Sequence, residues 1–164
     1  MRPTALLLAC CLAAATGLAW AVELPKDVTT ADVCAVVPGA QVARALGGTL
    51  DDVKLNRPGG THARCRYTVT LPGNGKPVQA VLLLWLHAAG DFDPLRSYHE
   101  GPVKQVDGLG DAAFTTVDPD TGRHGLLVLV RPLATVEVTG PDAATVRAVA
   151  NTAVGVLRPP STGR

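Results

Sequence analysis

The chain has 164 residues with 15 basic and 14 acidic side chains, room for one domain, and no basic stripe of the kind that neutralises nucleic-acid phosphates. Removing a leader that contains Arg2 leaves 14 side chains of each sign, which also argues against electrostatic docking on anionic membranes. Beyond residue 21 no run approaches the roughly 18 apolar residues of a membrane span.

Residues 1–21 read as a secretory signal. Arg2 supplies the positive charge, residues 5–18 the apolar region, and Ala19-Trp20-Ala21 a small-x-small cleavage site. Leu7-Leu8-Ala9-Cys10 has the letters of a lipobox, the acylation site of bacterial lipoproteins. The apolar stretch before Cys10 is too short for a region that usually takes about 7 to 15 residues. The spacing favours Sec-type cleavage after Ala21 over lipid anchoring at Cys10, and so a secreted or periplasmic chain starting near Val22. Cys10 and Cys11 leave with the leader. Cys34 and Cys65 remain, an even pair in an oxidising compartment, which points to one disulfide. The competing reading is a catalytic thiol at Cys34, but no His or Asn lies near it in sequence.

Residues 22–30 read as an extended lead-in. Thr29 or Thr30 is placed to cap a helix starting near Ala31, with Val33, Val36 and Val37 on its apolar side. Pro38-Gly39 interrupts, a second short helix follows over 40–46, and Gly47-Gly48 stops it. Residues 51–57 suit an edge strand, and 58–61 a turn. Residues 64–71 alternate: Cys65, Tyr67, Val69 and Leu71 face one way, Arg66, Thr68 and Thr70 the other. A Gly/Pro turn over 72–77 leads into Ala80-Val81-Leu82-Leu83-Leu84-Trp85-Leu86. Seven apolar residues without a period predict an interior strand covered on both faces, paired with 64–71 as an antiparallel hairpin.

Residues 91–100 predict a short helix or loop opened by Asp93-Pro94, and 103–106 a short extended piece. A turn over 107–111 precedes a strand over 112–117. A second turn, 118–122, precedes the apolar strand 125–130, which Pro132 breaks. Residues 135–139 form a last strand with Val136 and Val138 inward. Asp142 opens the longest amphipathic helix, in which Val146, Val149, Ala150, Ala153, Val154 and Leu157 share one face, and Pro159-Pro160 ends it. The order predicts an α+β fold: a single antiparallel sheet packed with an N-terminal helical segment and a C-terminal amphipathic helix, with one domain over 31–158 and a disordered tail over 159–164.

No motif carries chemistry on its own. Gly108-Leu109-Gly110-Asp111-Ala112-Ala113 matches the letters of a dinucleotide loop, but a strand follows it where a phosphate-binding helix is required. Residues 118–122 resemble the start of a calcium loop, with glycine at position 5 and Leu129 in place of the bidentate glutamate. His62, His87, His99 and His124 show no metal-ligand spacing. The local polar clusters are Ser97-Tyr98-His99 with Asp91 and Asp93, and the pair Asp107 and Asp111, the residues a small envelope hydrolase would use. Neither is framed by a catalytic turn. The residues therefore assign no catalytic, cofactor or metal site.

The early Cys34, the Ala-Leu-Gly-Gly helix end at 45–48, the Cys-Arg-Tyr strand at 65–67 and Gly-Leu-Gly-Asp-Ala-Ala-Phe at 108–114 together resemble a domain family of secreted and lipid-anchored bacterial proteins, mainly actinobacterial. The resemblance spans about 32–157. It implies a fold similar to the PsbP-like α/β/α sandwich, a mostly non-enzymatic scaffold, with Cys34 and Cys65 as a structural pair and no catalytic residues. The chain departs from many members in lacking a good lipobox. The expected function is a non-catalytic binding or accessory module of the cell envelope, its partner an envelope protein or a small molecule. The alternatives are the small hydrolase and a carrier of an apolar ligand lodged near Ala143, Ala150 and Ala153.

Overall fold

The fold starts from alternation along strands. The structure, a computed structural model, describes residues 27–58, 62–73, 75–99 and 102–158. The leader with Cys10 and Ala21, the start of the lead-in, residues 59–61 of the predicted turn and the tail 159–164 lie outside the described residues. Seven strands, β1 (Thr49–Asn56), β2 (Arg64–Leu71), β3 (Val78–His87), β4 (Lys104–Gln105), β5 (Ala112–Val117), β6 (His124–Val130) and β7 (Ala134–Gly140), form one antiparallel sheet in the order β1-β2-β3-β7-β6-β5-β4. Among the described residues four α-helices accompany it: α1 (Val33–Val36), α2 (Gly39–Ala45), α3 (Phe92–Tyr98) and α4 (Ala143–Leu157). The class is α+β, as the element order predicts.

Residues opposite each other in an antiparallel ladder share a face. One such row runs Leu55, Cys65, Leu84, Val138, Leu126 across five strands. This face meets α1, α2 and α4. Val33, Val37, Val42, Tyr67, Leu82, Val136, Val149 and Ala153 are among the residues that fill the space between, all fully buried. The apolar stripe predicted for the last helix packs on β6 and β7. Ala150 and Ala153 are fully buried in that core while Ala143 is exposed, so the three do not line a common cavity.

Cys34 and Cys65 are bonded, with Cα atoms 5.1 Å apart, which pins α1 to β2. Two residues along β2, the Tyr67 hydroxyl donates to the Val37 carbonyl at 2.7 Å, and burial pushes the phenol pKa up.

Three expectations need correction. The α1 cap is Asp32, whose carboxylate accepts from the Cys34 and Ala35 N–H groups, rather than Thr29 or Thr30. Those threonines belong to a 3-10 turn, Val28–Thr30, capped by Asp27; Val28 is buried, so this part of the lead-in is packed and not loosely extended. The third correction concerns β3. Ala80, Leu82, Leu84 and Leu86 are buried under the helices, yet Val81, Leu83 and Trp85 on the opposite face are only half-buried. The second apolar run behaves as predicted, with residues 125–130 all buried. The difference is α3, which covers β5 and β6 with Phe92 and Leu95 over Phe114, Leu127 and Leu129, and stops short of β3.

Candidate functional site

The uncovered half of the sheet is the candidate site. Its residues follow from strand register. One row runs Asn56, Arg64, Trp85, Glu137, Leu127, Phe114, and the next runs Lys54, Arg66, Leu83, Thr139, Gly125, Thr116. In the first row α3 covers Leu127 and Phe114 but not Trp85. The Arg64 guanidinium sits over the Trp85 ring at 5.8 Å, and its buried Nε has no hydrogen-bond partner among the described residues.

Leu83, Thr139, Gly125 and Thr116 form the floor of a groove of about 450 Å³. Glycine at 125 keeps this floor low: a Cβ there would stand 2.8 Å from the Thr116 methyl. Tyr98 and His99, leaving the end of α3, form one wall, and the β5–β6 turn forms the other. Tyr98 is 82% exposed, whereas the His99 ring packs edge-on against Phe114 at 5.7 Å.

The turn wall is rigid for a local reason. Asp118 Oδ1 accepts from the Asp120 and Thr121 N–H groups, and Gly122 takes a positive φ to close the hairpin. The Thr121 N–H, then the Thr121 side chain and the Asp120 N–H, hold the Asp118 carboxyl below the usual carboxylate range, helped by the Arg123 charge. Thus 118–122 is a hairpin turn whose first carboxylate serves the backbone. The Arg123 side chain reaches across to β3 and donates to the Val81 carbonyl at 2.9 Å, beyond the stretch that β7 pairs. On the floor side, His87 Nε2 donates to Glu137 Oε2 at 2.8 Å, and both side chains are mostly buried. The His62 ring lies tilted by 40° beside that of His87, ring centroids 5.8 Å apart. Among the described residues no three His, Cys, Asp or Glu side chains are grouped to hold a metal ion.

The residues singled out for acid–base chemistry do not converge. Tyr98 and His99 line the groove, while Ser97, Asp91, Asp93, Asp107 and Asp111 do not. The Ser97 hydroxyl donates to the Asp93 carbonyl at 3.0 Å, and Asp91 accepts from the Ala88 N–H. Asp111 accepts the Arg131 N–H at 2.6 Å and pairs with Arg158 beyond the end of α4. The Arg131 N–H is the main cause that holds its carboxyl below the usual range. The glycine loop before it is a turn into β5, with Gly108 and Gly110 at positive φ and Leu109 buried, so no helix end stands there for a pyrophosphate.

Glu137 carried one sequence signal: an acid between the inward Val136 and Val138 must face the opposite side of the sheet. The rest of the groove comes from strands and turns far apart in the chain, with no local motif to announce it. No helix among the described residues is long and apolar enough to cross a membrane. No protein-family model, no curated protein and no solved structure matches the chain.

Proposed function

We propose that the chain is an exported, non-catalytic binding module of the bacterial cell envelope, acting through the open half of its sheet. One observation carries this reading. The face of β3 beside β7 presents the apolar Leu83 and Trp85 half-buried next to a formed groove, where the open face of an antiparallel sheet normally carries polar side chains. Of the candidate acid–base groups, Asp91 and Asp111 serve backbone N–H groups, and only Tyr98 and His99 reach the groove, with no serine in its lining, so binding is the activity the geometry supports best. The leader-like residues 1–21 and the Cys34–Cys65 disulfide suit an oxidising compartment outside the cytoplasm. The resemblance to a PsbP-like scaffold points the same way.

Native mass spectrometry of the protein recovered from its own host tests the proposal. The expected species starts at Val22, is two hydrogens light, and carries a ligand or partner that Trp85→Ala and Leu83→Ser release. Hydrolysis of a cell-wall glycan or peptide by the purified protein, abolished by a single Asp or His substitution, would overturn it.

A further inference from the structure

We propose that the groove over β3, β7, β6 and β5 takes a small organic cation, an ammonium carried on a short apolar stem. The inference rests on the binding reading above and adds the chemistry of the ligand. A volume of about 450 Å³ is that of a small-molecule site. Its lining sets three carboxylates, Asp118, Asp120 and Glu137, against one guanidinium, Arg123. That guanidinium is already engaged, bonded to the Val81 carbonyl and beside the ionised Asp118.

Glu137 is the anchor. Its Oε2 is held by His87, and its Oε1 makes no hydrogen bond among the described residues. Among the lining residues an anion meets three carboxylates, the engaged Arg123 and the His99 ring, and Arg66, without a partner among the described residues, lies outside the lining, next to Leu83 along the sheet. A neutral apolar ligand would strip water from carboxylates and leave them unpaired, which is costly. An ammonium pairs with the free oxygen of Glu137, its stem lies along Leu83, and the exposed Tyr98 ring offers a second favourable surface to a cation. Asp120, whose carboxylate makes no hydrogen bond among the described residues, adds charge at the rim without a structural duty.

The test titrates the exported, ¹⁵N-labelled protein with pentylamine, and with pentanoate and pentanol as probes of matched stem. Pentylamine is expected to move the amides of Leu83, Gly125 and Thr139 and to saturate. Glu137→Gln should weaken it about tenfold, and Asp120→Asn several-fold while leaving the fold intact. Added salt should weaken it further. Three results would overturn the inference: pentanoate or pentanol binding as tightly as pentylamine, pentylamine leaving those amides unmoved, or both variants binding it as well as the parent. Sedimentation of a dimer broken by Leu83→Ser would likewise assign the groove to a second copy of the chain. None of these results touches the mass measurement that decides the binding reading, so the two can fail separately.

Discussion

Breaking the Cys34–Cys65 bond perturbs the joint that holds the smallest helix to the sheet. Four residues make α1, far too few to hold a helix alone, so its place depends on tethers to β2. The bond closes a loop with a sequence separation of 31. In the chain-entropy model a loop of that length contributes about 3.7 kcal/mol at 25 °C. Spread over about 130 ordered residues, that loss lowers the unfolding midpoint by roughly 13 °C. The assay is thermal and urea unfolding of Cys34→Ala, Cys65→Ala and the double variant under oxidising conditions. Either single substitution removes the whole cross-link, so both should lose a similar amount, and the double variant should be no worse than either. Losses that add across the two sites, or a loss below about 1 kcal/mol, would refute the reasoning.

Three further predictions test local physics. Gly110→Ala should cost about 2 kcal/mol or more by urea unfolding, because its φ of +61° is joined to a Cβ position 2.4 Å from the Leu129 carbonyl. Gly108→Ala, at a φ of +72° with open space around it, should cost only the backbone strain of about 1 kcal/mol, so the difference isolates the steric contact. Asp142 caps α4 by accepting the Thr145 N–H at 2.8 Å, and Asp142→Ala should destabilise by about 1 kcal/mol. That N–H is also the main cause of its lowered pKa. A depressed folded value gives stability that is complete above about pH 4 and lost as pH falls through the folded pKa. Acid unfolding followed by circular dichroism should therefore be less steep below pH 4 in Asp142→Asn than in the parent.

How far the structure could be read from the chain depends on whether a segment has a period. Residues 64–71 alternate without interruption, so their extent and pairing to β3 followed directly; Cys65, Tyr67 and Val69 of the predicted inward set are buried, whereas Leu71 at the strand end is half-buried and Thr68 on the opposite face is buried as well. The α4 stripe was legible for the same reason at the helical period. Caps were less so: Asp27, Thr29, Thr30 and Asp32 are all competent cap residues within six positions, and nothing in their letters selects Asp27 and Asp32, the pair that the fold uses. The run 80–86 has no period. It records that a strand is apolar on both sides and not that both sides acquire a cover.

What leaves that face open is helix length. A seven-residue helix is about 10 Å long, enough to lie over two or three strands spaced about 4.8 Å apart. Seven strands span close to three times that distance. On the other face α4 alone, with fifteen residues, reaches about 22 Å, and α1 and α2 complete the layer. Of the four described α-helices only α3 faces the second side, and it ends at Tyr98. It can shield Phe114, Leu127 and Leu129, but Leu83 and Trp85 lie beyond its reach. The residues at its end, Tyr98 and His99, then become a groove wall because the helix stops there. Lengthening the segment between His87 and Lys104 by a few helical turns would close the face and abolish the site.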